Sequence, residues 1–186
     1  MEFWDIYDKN RIKTGRMHER GTPIPDGDYH LVVSIWIINS RQEILLAKRH
    51  PEKLYPNMWE CPGGSALAGE NSLEAALREV KEEIGIDLSS CNGELMKSER
   101  RMHNFRDVWL FTHDFSIEDT VLQPEEVIDA KWVTILELES LFNEGVVVPS
   151  LRYYKSFFFE CVQRQRLNRI GYIAVYQRPL VIHCVN

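Results

Sequence analysis

The sequence predicts an α+β domain in which a mixed β-sheet is flanked by helices. Three observations carry this. The run YHLVVSIWIIN (Tyr29–Asn39) is rich in β-branched and aromatic residues, the composition of a buried strand. The segment Asn71–Ile84 has a helix start signal and a helix stop signal. The elements follow one another as strands, helix, strands, helices, not as a regular βα alternation.

Taken in order, FWDIYDKNRIKTGRMHERG reads as two short strands with a turn near Asp8–Asn10, an N-terminal β-hairpin. TPIPDGD is a loop. After the long strand, Ser40–Gln42 form a turn and Glu43–Arg49 a second strand. HPEKLYPN is a loop, and MWECPGG leads into the pair Gly63–Gly64. Asn71 and Glu74 have capping-box spacing at the start of the helix, and Gly85 stops it. Strands are expected around Glu94–Met102 and Phe105–Phe115; the second alternates poorly and so is buried on both faces. A polar loop, SIEDTVLQPEE, precedes a strand in VIDAKWVTI. LELESLFNEG is a short helix ending at Gly145. PSLRYYKSFFFECVQRQRL is a final helix with Pro149 in or just before its first turn. The expected organisation is one domain over residues 1–167 and a β-prone tail over 168–186.

Composition narrows the function classes. The chain has 186 residues, 44% hydrophobic and 27% charged, as in an ordinary globular domain, and a net charge of -6. An acidic balance disfavours DNA and membrane surfaces as partners. No apolar run approaches the roughly 18 residues of a membrane span. The acidic, aromatic start MEFWDIYDKNR is no signal peptide. Cys61, Cys91, Cys161 and Cys184 form no CxxC pair, which points to reduced thiols and a cytoplasmic setting. The apolar tail suits strand addition at a sheet edge, so a homodimer is one expected use of it.

The helix carries the chemistry. At about 100° per residue, Glu79, Glu82 and Glu83 share an arc of about 100°. Leu73, Leu77, Val80 and Ile84 form the neighbouring apolar stripe, so the carboxylates flank the buried face. A Glu-rich helix face is ordinarily just solvated. Three carboxylates at the edge of a core are costly unless paired, and they make an oxygen-rich site for a hard cation such as Mg²⁺, or Mn²⁺. Arg78 sits where it can pair with Glu70 or Glu82.

The pattern Gly64, five residues, Glu70, seven residues, Arg78-Glu79-Val80-x-Glu82-Glu83-x-Gly85-Ile86 resembles the Nudix box GX5EX7REUXEEXGU at all nine specified positions. Chance agreement is on the order of one in 10⁹ per starting position. MWxxPGG before the box and EEV…KWV after it extend the resemblance over about Tyr29–Gln165. The resemblance implies a Nudix-like α/β/α sandwich and a Mg²⁺-dependent hydrolase acting on a nucleoside diphosphate derivative or another small-molecule diphosphate. It implies Glu79, Glu82 and Glu83 as metal ligands, with the carbonyl of Gly63 or Gly64. Glu70 and Arg78 become a supporting ion pair. The general base is Glu79 or a carboxylate outside the box: Asp107, Glu125 or Glu126. Lys48, Arg49 and Arg101 are candidate phosphate contacts, and Trp59 and Phe105 candidate stacking groups, although such residues are ordinarily surface cations and core aromatics.

The N-terminal half, WDIYDKNRIKTGRMHERG…YHLVV, is also similar to a branch related to isopentenyl-diphosphate isomerases. Their thiol position is Gly63 here and their histidine position is Ser65; Cys61 falls two residues too early. Isomerase chemistry is therefore not expected, and Cys61 reads as a small buried residue. A non-catalytic ligand- or RNA-binding module of this fold is the other alternative. The intact box argues for an enzyme.

Overall fold

The computed structural model describes residues 1–158. Met1–Val148 form one compact unit, and a second begins at Pro149. In the first unit the strands are β1 (Phe3–Tyr7), β2 (Lys13–Glu19), β3 (His30–Ile38), β4 (Ile44–Arg49), β5 (Trp59–Glu60), β6 (Gly63–Ser65), β7 (Gly93–Arg100), β8 (Asn104–Thr112) and β9 (Val127–Val133). The helices are α1 (Ser72–Ile84) and α2 (Ile135–Asn143). Each strand and helix expected before residue 149 is present. The short β5 and β6 are additions: neither is long enough to show a period, and both exist because their backbones pair with β4 and β3. In the second unit, Pro149–Leu151 form a 3₁₀ turn and residues 154–158 are helical. The rest of the expected final helix and the tail 168–186 lie outside the described residues.

The main sheet runs β5-β4-β3-β8-β7, with β6 on β3 and β9 on β4. β3 and β8 are parallel over nine paired positions, from His30↔Asn104 to Ile38↔Thr112, and the other pairs are antiparallel. The sheet is therefore mixed, and both faces of its centre are covered. Leu31, Val33, Ile35 and Ile37 alternate along β3 onto one face, where they join Leu45, Ala47 and Phe111 in a core with Ala75, Ala76, Val80 and Ile84 of α1. Trp36, Leu46, Val108 and Leu110 lie on the opposite face by alternation and are buried too. This is the α/β/α sandwich. The buried stripe of α1 differs in detail from the expected one. Ala75 and Ala76 are buried completely, whereas Leu73 and Leu77 pack at its margin. Small residues let the helix lie close on the sheet.

β1 and β2 form a separate two-stranded ribbon. It docks on the entry to β3: Tyr7 and Tyr29 exchange backbone hydrogen bonds at 2.7 and 3.0 Å, and Trp4 stacks on His30 with ring centroids 4.1 Å apart. Ala68 N donates to Phe3 O and Gly69 N to Asp5 Oδ2. The ribbon is thereby tied to the loop that leads into α1.

Candidate active site

α1 begins where its sequence says it should. The Asn71 side chain accepts from the backbone N–H groups of Leu73 and Glu74, and Glu74 returns a bond to Asn71 N. The helix ends at Gly85, whose φ of +75° suits glycine. A Cβ there would lie 2.8 Å from the Val121 side chain. That close approach lets Val121 N reach Ile84 O and Gln123 N reach Glu83 O, at 2.9 and 3.0 Å. The segment before β9 is thus strapped to the end of α1, and Glu126 faces the helix.

Glu79, Glu82, Glu83 and Glu126 line one cleft with Gly63, Gly64 and Arg78. The glycine pair forms its floor: a Cβ on Gly63 would lie 2.3 Å from Val33 O, and one on Gly64 would displace Glu79. A Cβ on Gly64 would sit 2.3 Å from Glu79 Oε1. Arg78 ties the cleft together. Its Nε and Nη2 bind the two oxygens of Glu70 at 2.6 and 3.0 Å; Nη1 binds Glu82 at 2.7 Å; Nη2 also reaches Ser65 O at 3.0 Å and Glu79 at 3.1 Å. Glu70 in turn accepts from Leu67 N. The Glu70–Arg78 pair that the resemblance implies is present, and it clamps the Gly64–Glu70 loop to the helix.

The electrostatics are lopsided. Glu83 is 8% exposed, and its one hydrogen bond among the described residues is a long one, 3.3 Å, from Gly63 N. Burial, then the charges of Glu60 and Glu79, raises its pKa well above the carboxylate range. Burial also raises that of Glu79, against the opposing pull of Arg78. Among the described residues no three His, Cys, Asp or Glu side chains are grouped tightly enough to enclose an ion as they stand. Arg78 holds Glu79 and Glu82 instead. The donor set is nevertheless all oxygen, and a buried carboxylate among other carboxylates with one long hydrogen bond calls for positive charge. These residues fit a hard divalent cation.

Other expected site residues are placed elsewhere. Asp107 is fully buried on β8 in a bidentate pair with Arg11, beside Ser72 at the start of α1. Glu83 lies eleven residues further along the helix, about 16 Å at 1.5 Å per residue. The structure does not bring Asp107 to the cleft, nor Glu125, which is exposed outside it. Arg49 pairs with Glu60 and donates to Leu54 O at 2.6 Å. Lys48 and Lys131 lie over the Trp59 ring, 5.5 and 4.1 Å from its centroid, so the buried Trp59 is occupied by cations, not open to a base. Phe105 is core, and Arg101 pairs with Glu99. Cys61 is buried, and burial pushes its thiol pKa up, as in an inert structural cysteine.

Sequence reasoning missed Glu60, Glu2, Arg20 and Gln123. Glu60 is half-buried, its pKa raised first by desolvation against the pull of Arg49, and it acts electrostatically on Glu83. Its signal was its place directly before CPGG. Glu2 and Arg20 line the cleft through the docked ribbon, and no local spacing announces that. Lys53, also missed, pairs with Glu126.

The chain is similar to known proteins. A NUDIX domain profile matches residues 28–153. An uncharacterized Nudix hydrolase of Listeria monocytogenes is 41% identical over 151 residues, 80% of this chain and 89% of its own. An isopentenyl-diphosphate Delta-isomerase of Pectobacterium atrosepticum is 35% identical over 83 residues, 44% of this chain and 46% of its own. The crystal structure of DR0079 from Deinococcus radiodurans has the same fold, with a TM-score of 0.64 at 23% identity over 79% of this chain and 92% of its own. With the intact box, the sandwich, the NUDIX match over residues 28–153 and the 41% identical relative, the chain belongs to the Nudix hydrolase family and is an enzyme of the pyrophosphohydrolase class.

Proposed function

We propose that the protein cleaves a diphosphate linkage in a nucleoside diphosphate derivative or related small molecule, by in-line attack of water, with Mg²⁺ or Mn²⁺ bound in the cleft. The supporting observation is the buried, under-neutralised Glu83 facing Glu79, Glu82 and Glu126 over a glycine floor. A carboxylate cleft attracts a polyanion only through cations. Bound divalent ions neutralise phosphate oxygens and make a bound water more acidic.

The chain's own residues do the rest. Glu79, Glu82 and Glu83 hold positive charge at the helix face, together with the Gly63 or Gly64 carbonyl. Arg78 is the positioning residue, keeping loop and helix in register through Glu70. Glu126, on the strapped segment opposite α1, is better placed than Asp107 to take the proton of the attacking water, once it leaves Lys53. The cleft offers about 90 Å³, well under the roughly 300–1,000 Å³ of sites that enclose drug-sized ligands. It takes the diphosphate and leaves the attached group outside.

Hydrolysis of a panel of nucleotide sugars, dinucleotides and nucleoside di- and triphosphates in ¹⁸O-labelled water tests this. The expected result is one phosphate-bearing product with a single label. A panel with no turnover in the presence of Mg²⁺ or Mn²⁺ would count against the reading.

A further inference from the structure

Two guanidinium groups line the cleft, and their donors differ. Those of Arg78 are engaged with Glu70, Ser65 O, Glu79 and Glu82. Arg20 makes one side-chain hydrogen bond among the described residues, from Nη1 to Glu2 Oε2 at 2.5 Å. Its Nε and Nη2 donors have no protein acceptor there. Both side chains of this pair are about half exposed, 52% for Arg20 and 49% for Glu2. A pair so exposed adds little to stability and exchanges partners readily.

The position of Arg20 is nevertheless fixed. It follows β2 directly, and its backbone N–H donates to Glu2 O at 3.0 Å, closing the open end of the ribbon. Phe3 and Asp5 anchor that end to Ala68 and Gly69, on the loop between Gly64 and α1. The charges of Glu126 and Glu79 reach the Arg20 guanidinium. A cation on a fixed backbone, facing the carboxylates and held by one exchangeable anion, is suited to a transient anionic partner.

We infer that Arg20 is a substrate-binding residue: its guanidinium leaves Glu2 and grips a non-bridging phosphate oxygen of the bound diphosphate, and Glu2 stands in for that anion in the free protein. The inference rests on the diphosphate reading above. No covalent bond changes. A phosphate group presents several acceptor oxygens to the planar fork and carries more charge than a carboxylate, so it displaces Glu2. Because Arg20 reads the phosphate and not the attached group, it acts alike on every diphosphate the enzyme accepts.

The test is calorimetric titration of methylenediphosphonate, with Mg²⁺ present, into the wild type, Arg20→Ala, Arg20→Lys and Glu2→Gln, with folding checked by thermal melting. The same variants are assayed for KM and kcat on any substrate the panel yields. Arg20→Ala is expected to weaken diphosphonate binding by about 10- to 100-fold and to raise KM more than it lowers kcat. Arg20→Lys restores part of the affinity, and Glu2→Gln tightens binding several-fold. Wild-type affinity in Arg20→Ala overturns the inference, as does a wild type that binds no diphosphonate. A wild type that binds diphosphonate through Arg20 but hydrolyses nothing upholds the inference and overturns the proposed reaction.

Discussion

Glu83 and Gly64 show how closely single residues constrain this cleft. The Gly64 Cα faces Glu79 so closely that an added methyl would lie 2.3 Å from one carboxylate oxygen and 2.6 Å from the other. Glu79 ends a flexible side chain, so it moves aside and the fold survives. Gly64→Ala is therefore expected to keep its melting temperature within a few degrees and to lose about 100-fold or more in kcat/KM, the scale seen when a positioned group is displaced. Thermal melting and steady-state kinetics check the pair of outcomes. The Glu70–Arg78 clamp was legible because the resemblance to the box, with seven residues between Glu70 and Arg78, implies it. Asp107 was misleading: a carboxylate in a strand after the box reads like a candidate general base, but the buried ion pair with Arg11 belongs to a register set by β3 and β8. Arg20 was illegible as a site residue, because tertiary docking of the ribbon brings it near the carboxylates, and Glu60, marked only by its place before CPGG, comes near Glu83 through a two-residue strand.

At the scale of elements, α1 and the segment 121–126 act as one unit. The helix boundaries were readable to within a residue, since the Asn71–Glu74 box and Gly85 are local signals. The strap was not readable, because it depends on backbone bonds from Val121 and Gln123 to the last turn of the helix. Gly85→Ala couples the two. It forces a β-carbon into a left-handed conformation and against Val121, at 2.8 Å. Destabilisation of about 1 kcal/mol or more is expected, together with lower activity because Glu126 loses its anchorage. Urea denaturation measures the first and kcat the second. Normal activity in a destabilised variant would show that the strap does not position Glu126.

Across the molecule, the small N-terminal ribbon is held to the sheet partly by the Trp4–His30 stack. His30 is 7% exposed, its Nδ1 has no hydrogen-bond partner among the described residues, and its pKa is lowered from 6.5 to about 4, by burial first and then by His18 and His103. The folded state thus keeps His30 neutral where the unfolded chain protonates it. Stability from this site is complete above pH 6.5 and is lost as pH falls towards 4. His30→Phe, which keeps a ring beside Trp4, is expected to flatten the stability profile between pH 6.5 and about 4. Denaturation midpoints across that range check it. A profile as steep as that of the wild type would place the titration elsewhere. The mixed sheet and the order of its elements were foreseeable from patterning, whereas the docking of the ribbon beside the cleft was not. The most direct test of the account as a whole is turnover of a cleaved diphosphate by the wild type and by Glu83→Gln, each with Mg²⁺ and with a chelator. Turnover is expected in the wild type with Mg²⁺, and a loss of about 100-fold or more in the other three conditions. Equal turnover by Glu83→Gln, or undiminished turnover in the chelator, would contradict it.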